Sequence, residues 1–225
     1  MRHALCTMLY AFSKRKEERM GKKKIIKEYL EPIVIAILIA LFIRTFIVQA
    51  FKIPSSSMEP TLQVGDHLLV NKFIYGIKIP FMDTKYFQFR NPQRGDIVVF
   101  IYPKDRSKDF IKRVVGTEGE KIEIVRNKIY INDQLIDDPW GHYDERNPAV
   151  KYLQPMERFG PVVVPKGSFF VLGDNRDNSQ DSRFWGYVNF SEVKGKAFII
   201  YFSWDRYAQN LLGKIRWVRF GKLIR

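Results

Sequence analysis

A chain of 225 residues, 46% of them hydrophobic, can bury a core even after giving up one membrane span, and this balance excludes a disordered polymer. A net charge of +14 invites nucleic acid, yet much of the excess lies around Lys14–Lys27 and Lys214–Arg225, which suits anionic lipid headgroups at least as well. The single cysteine, Cys6, excludes an internal disulfide.

Residues 1–31 are basic overall, with Lys14, Arg15, Lys16, Arg19, Lys22, Lys23, Lys24 and Lys27 set against Glu17, Glu18, Glu28 and Glu31, and predict a short helix or a disordered cytoplasmic arm. Residues 32–51 read as a transmembrane helix. At about 1.5 Å per residue the run from Ile33 to Phe51 reaches roughly 28 Å, close to the thickness of a bilayer's hydrocarbon core. It is too long for an ordinary signal-peptide core, and no small-residue cleavage site follows it cleanly. Arg44 must snorkel or face a partner near the far interface. The positive-inside rule places residues 1–31 in the cytoplasm and residues 52–225 outside it, as a single-pass protein of the cell membrane.

Directly after this run comes Ile53-Pro54-Ser55-Ser56-Ser57-Met58-Glu59-Pro60-Thr61-Leu62. Each proline fixes its own φ and pushes its predecessor towards extended geometry, so three hydroxyls sit on a stiff, non-helical arm that can present a nucleophile. A Ser/Pro-rich linker is the blander reading, and this stretch alone favours it.

The remainder predicts β structure with few helices. Turns at Gly65-Asp66 and Arg94-Gly95-Asp96 feed the runs His67–Lys72 and Ile97–Tyr102, the latter stopped by Pro103. Asp109–Val115 is a further strand, and Ile122, Ile124, Ile129 and Ile131 alternate with polar residues around Arg126-Asn127-Lys128 as a hairpin. Residues 133–160 are turn-rich, and strands resume at Pro161–Pro165, Ser168–Leu172 and Ala197–Phe202. Many short strands separated by turns suggest an antiparallel sheet or a partly open barrel.

A serine nucleophile needs a base. His3 lies on the wrong side of the membrane, and His67 and His142 stand in no triad motif; there is no nucleophile elbow and no His or Cys cluster for a metal. A lysine kept neutral by burial can serve instead. Lys112 is the candidate, since Phe110, Lys112 and Val114 share one face of a strand. A strand lysine that snorkels to water fits the same periodicity, which leaves both readings open. The segment Gly173–Val188 is dense in side chains that hydrogen-bond and ion-pair, either as an Asx-rich surface loop or as a fixed polar network behind a reactive group.

Taken together, these segments resemble the type I signal peptidases, membrane-bound serine proteases with a Ser/Lys dyad. The resemblance covers almost the whole chain from Glu31 and rests on five ordered motifs: Ile53–Leu62, Gly65–Lys72 with Tyr75-Gly76, Arg94–Tyr102, Phe110–Gly116 and Gly173–Val188. It implies that Ser57 is the nucleophile and Lys112 the general base, with the Ser55 hydroxyl and the Ser57 amide as oxyanion hole. It further implies that Ser179 orients Lys112, that Asp181 and Arg183 brace the loop, and that Phe51, Ile53, Met58, Leu68, Val99 and Ile111 line the substrate pockets. Ser56 stands where many members carry Gly. The implied fold is mainly β: an antiparallel catalytic domain at 52–119 and 168–225, with a small β subdomain inserted at 120–167. The implied partners are secretory preproteins, cut after small residues at −1 and −3, and the lipid bilayer, with no cofactor and no nucleic acid. Self-cleaving repressor proteases share this chemistry, but the transmembrane segment and the want of an N-terminal DNA-binding helix pair set the chain apart from them. A membrane-anchored basic module binding nucleic acid would use the charge and leave the serine box and the Gly173 loop without a role.

Overall fold

The computed structural model describes residues 27–78, 85–86, 88–143, 158–210 and 213–224. Most of the basic arm, with His3 and Cys6, and residues 144–157 of the turn-rich stretch lie outside them. Two compact units divide the chain, Met1–Thr45 and Phe46–Arg225. Among the described residues one helix, α1 (Lys27–Ile47), most of it in the first unit, is long and apolar enough to cross a bilayer, with a mean hydropathy of 2.3. It closes on a π turn at Ile43–Ile47.

Residues 48–51, expected from their apolarity to finish the helix, form a strand instead. They belong to β1 (Val48–Lys52), whose backbone groups pair antiparallel with β2 (Asp66–Asn71), Val48 opposite Asn71 and Lys52 opposite His67. An apolar run fits helix or strand by composition alone, and here pairing with β2 decides the matter.

The second unit is mainly antiparallel β. After the short pair β3 (Ile77–Lys78) and β4 (Lys85–Tyr86) come β5 (Ile97–Ile101) and β6 (Asp109–Gly116). A second sheet follows, made of β7 (Lys121–Val125), β8 (Lys128–Ile131), β9 (Gln134–Leu135) and β10 (Arg158–Val163), in the order β10-β7-β8-β9. The chain then returns through β11 (Ser168–Leu172), β12 (Val188–Asn189), the long β13 (Val193–Ser203) and β14 (Lys222–Leu223). The main sheet runs β1-β2-β13-β5-β6-β11-β12, with β14 on β13.

Strand β5 explains the layering. Its residues are apolar on both faces, so neither face can meet water. Ile97 and Val99 join a core cluster with Ile53, Met58, Leu62 and Leu68, while Val98 and Phe100 join another with Val114, Val171 and Trp185. The hairpin expected at Arg126-Asn127-Lys128 is present. Val125 pairs with Lys128, and the two loop residues, Arg126 and Asn127, adopt φ of 46° and 68° as a tight primed turn requires. Ile122, Ile124, Ile129 and Ile131 then pack on Val115, Phe170 and Leu172, which fastens the small sheet to β6 and β11.

The basic C-terminal segment holds the body together. Arg219 is buried and grips the Asp66 carboxylate, Nε to Oδ1 at 2.9 Å and Nη2 to Oδ2 at 2.5 Å. Arg216 donates to the Val64 carbonyl at 3.0 Å. Two of the segment's cations are thus spent on the Gly65-Asp66 turn, and β14 gives the segment a last strand on β13.

Candidate active site

The serine arm is held from both ends. Ile53 pairs with the turn at Gly65-Asp66 (Ile53 N to Asp66 O, 2.8 Å; Gly65 N to Ile53 O, 3.0 Å), and Met58 is wholly buried. Between them Ser55, Ser56 and Ser57 are committed to a loop that Glu59 N closes on Ser56 O at 3.0 Å.

Lys112 meets this loop from β6. Its Nζ lies 2.6 Å from Ser57 Oγ and donates also to the carbonyl of Ile111 at 3.0 Å. Only 3% of Lys112 is exposed, and its amine sits 5.5 Å from the centre of the Phe110 ring, the apolar neighbour that strand alternation predicts. Burial pulls the ammonium down to about 8, against the pull of the Asp181 and Asp174 carboxylates, which favour the charged form. Those carboxylates are engaged elsewhere. Asp181 receives Arg183 Nε at 2.8 Å and Nη2 at 2.9 Å, and Asp174 receives Arg113 Nε at 2.8 Å and Nη2 at 2.7 Å. Asp109, nearer the surface, is paired with Lys194 at 2.7 Å. No carboxylate therefore neutralises the amine directly.

The Gly173 segment forms the wall behind the serine. A Cβ on Gly173 would fall 2.2 Å from Ser179 Oγ and 2.4 Å from the Ser57 carbonyl oxygen, so only glycine fits between them. Asn175 N donates to Ser57 O at 3.2 Å and its carboxamide to Ser56 O at 3.2 Å, while Asn178 Nδ2 donates to Ser56 Oγ at 2.8 Å. The dense polar stretch is thus a clamp on the serine loop.

A cavity of about 500 Å³ opens here, lined by Ser55, Ser57, Ile111, Lys112, Ser179 and Phe184 among others. Ser55 Oγ stands 3.5 Å from Ser57 Oγ, at the long limit of a hydrogen bond. Ser179 is buried in the cavity wall with no hydrogen bond to its Oγ, so the orienting bond expected from it to Lys112 is not made. The six expected pocket residues do gather. Ile53, Met58, Leu68 and Val99 share one buried cluster, with Phe51 and Ile111 packed against it, but of the six only Ile111 lines this cavity. The histidines serve elsewhere: His67 stacks edge-on against Tyr201 and Phe202, and the His142 backbone bridges to Asn175. Among the described residues, no group of three His, Cys, Asp or Glu side chains is placed to hold a metal ion.

Sequence reasoning missed several residues of this network. Arg113 and Asp174 form a fully buried ion pair, one position along β6 from Lys112, with Trp140 stacked 4.6 Å from the guanidinium. Their separation of 61 positions leaves no local pattern to read. Asp138, partly buried, pairs with the buried Arg176, again from a distant segment.

The chain is similar to known proteins. The family model described as signal peptidase, peptidase S26, matches residues 26–204. The signal peptidase I of Pseudomonas aeruginosa is 38% identical over 216 residues, covering 83% of this chain and 76% of that protein. That of Aquifex aeolicus is 35% identical over 235 residues, covering 81% and 84%. A crystal structure of a signal peptidase I from Enterococcus faecalis, 30% identical, overlaps 48% of this chain and 97% of that one with a TM-score of 0.38, too loose an overlap to compare folds.

Proposed function

Because the chain belongs to the signal peptidase family, peptidase S26, we propose that it removes N-terminal signal peptides from exported preproteins with Ser57 as nucleophile and Lys112 as general base. The observation that carries this reading is the 2.6 Å approach of Lys112 Nζ to Ser57 Oγ by an amine that is buried, unpaired with any carboxylate and brought down to about 8.

Once it has lost its proton, the amine accepts the Ser57 hydroxyl proton as Oγ attacks the scissile carbonyl. The resulting ammonium returns a proton to the departing amine of the mature protein, which leaves an acyl-enzyme on Ser57. Water, deprotonated by the same lysine, then releases the signal peptide as a free acid. The Ser57 amide and the Ser55 hydroxyl are the donors for the oxyanion, each contributing about 3 kcal/mol. Asp181 with Arg183, and Asn175 with Asn178, hold the wall against which the loop is set. Ser179, which lines the same cavity as Lys112, is read as the residue that orients the amine when substrate fills it.

Specificity for small residues at −1 and −3 follows from bulky apolar walls. Ile53, Met58, Leu68 and Val99 share a buried apolar cluster with Phe51 and Ile111 packed against it, and walls of such bulky side chains leave little room for a long substrate side chain. The charge asymmetry around α1 supports a cytoplasmic arm and an extracytoplasmic body. Exposed Trp217 and Val218, with Lys214 and Lys222 as the basic side chains not used on Asp66, support contact of the C-terminal segment with anionic lipid. Strands β7–β10 are read as the subdomain inserted between the two halves of the catalytic domain.

The test is direct. Detergent-solubilised protein is incubated with a preprotein carrying Ala at −3 and −1, and the new N-terminus is sequenced. Cleavage after the −1 Ala, lost in Ser57→Ala, is expected. Cleavage that persists in Ser57→Ala, or proceeds equally with Phe at −1, would defeat the assignment.

A further inference from the structure

The loop after β9 is folded against the back of the Gly173 segment. His142 N donates to Asp174 O at 2.7 Å and Arg176 N to His142 O at 2.9 Å, so the two segments are zipped by backbone bonds as well as side chains. Asp138 takes Arg176 with both oxygens, Nη1 to Oδ2 and Nη2 to Oδ1, the second at 2.9 Å. Arg176 is almost wholly buried and Asp138 nearly so, with side chains 1% and 14% exposed. Tyr143 completes the clasp. Its hydroxyl accepts from Arg176 at 3.4 Å and donates to the Asn127 carbonyl in the β7–β8 turn at 3.0 Å.

What the clasp holds is the support of the nucleophile. Arg176 Nε donates to the carbonyl of Gly173 at 3.0 Å, and the Arg176 carbonyl receives Arg183 Nη2 at 2.6 Å. One residue away, Asn175 bonds the Ser57 and Ser56 carbonyls. The guanidinium is thus a rivet between Asp138 on one side and the Gly173 stretch that backs Ser57 on the other. A buried guanidinium deprived of its carboxylate is left uncompensated, and the side chain so loosened is the one that holds the Gly173 carbonyl.

We propose that Asp138 is a positioning residue for the nucleophile, acting through Arg176 on the Gly173–Asn175 stretch. It touches neither substrate nor dyad. The inference rests on the Ser57/Lys112 reading and adds a place where residues between β9 and β10 of the small sheet set the geometry of the catalytic loop. A small displacement of a nucleophile lowers turnover far more than it lowers substrate binding.

The experiment uses the full chain in detergent and measures kcat and KM separately on one preprotein, at a temperature well below the melting transition of every variant. Asp138→Ala should lower kcat roughly 10- to 100-fold with KM held within about twofold. Asp138→Asn, which keeps the shape and loses the charge, should fall between that variant and the parent, and Asp138→Glu should recover most of kcat. This ordering is a signature that a merely structural role does not produce. Unchanged kcat in folded Asp138→Ala and Asp138→Asn, with Ser57→Ala inactive, overturns the inference and leaves the dyad standing. An active Ser57→Ala overturns the dyad and this inference with it.

Discussion

Lys112 and Arg113 are neighbours on β6, both buried and both basic, yet their surroundings differ in kind. Arg113 has a carboxylate gripping two of its nitrogens, the Gly95 carbonyl at 2.7 Å and the face of Trp140. Lys112 has a hydroxyl, one carbonyl and an aromatic ring. Strand alternation sends the two side chains to opposite faces and so into opposite environments. A buried cation given a carboxylate becomes a structural post; one denied a carboxylate is pushed towards neutrality, as the proposed role of a base requires. The same eight-residue strand builds both.

The contrast breaks most completely if Lys112 is made to resemble its neighbour. Lys112→Arg keeps a cation in place but supplies a guanidinium that stays protonated at any useful pH. Cleavage should fall by roughly 10³-fold or more, as it should for Ser57→Ala, across pH 6–10. Turnover near the parent's in Lys112→Arg would sink the lysine mechanism. The mirror experiment strips Arg113 of its partner. Asp174→Ala leaves a fully buried guanidinium uncompensated and should cost about 3–5 kcal/mol of stability, read by denaturant unfolding. A loss under about 1 kcal/mol would mean the pair is not the post described.

A third prediction turns on stability alone. The Lys112 amine, brought down to about 8 in the folded chain, ionises near 10.5 when unfolded. Below pH 8 it is charged in both states, and the folded protein bears the full cost of burying the charge. Between the two values the unfolded chain holds more protons, so that cost fades as pH rises. Lys112→Met should therefore unfold about 3 kcal/mol later than the parent at pH 7, an advantage shrinking towards pH 10. Equal stability at pH 7 would show that the amine bears no such strain. In activity the same titration appears as kcat/KM rising with pH to a midpoint near 8.

How far the sequence carried this picture depends on the distance between partners. The all-apolar run of β5 and the Arg126-Asn127 turn are local patterns, and both formed as read. The end of α1 was not legible, because Val48–Phe51 suit a helix as well as a strand until β2 is there to pair with them. Alternation placed Phe110 beside Lys112, but it could not bring the amine to Ser57, a partner 55 positions away; that juxtaposition came from resemblance of the motifs. Asp174 and Arg176 lay in the Gly173–Val188 stretch already read as polar and Arg113 in the lysine motif, but their partners could not be named, since an ion pair between distant segments leaves no periodicity, and Asp138 carried no mark of its own. In the C-terminal segment, where charge composition suggested a lipid-facing surface, Asp66 claims Arg219 through a contact that composition cannot disclose.

The smallest effect concerns the one carboxylate on β6 that could spoil the base. Asp109 lines the dyad cavity and is kept in a surface ion pair by Lys194, at 2.7 Å and with both side chains about a third exposed. Lys194→Ala removes a cation and frees an anion, and both changes favour the charged form of Lys112. Water screens the site, so the interaction is worth only a few tenths of a unit. The midpoint of kcat/KM against pH should move up by that amount in Lys194→Ala, and move down in Asp109→Asn, where the anion is gone. Low salt should enlarge both shifts and high salt erase them. If the midpoint stays fixed in low salt in both variants, Asp109 has no electrical hold on the amine, and the titration of Lys112 is set by its burial against the opposing pull of the two inner carboxylates alone.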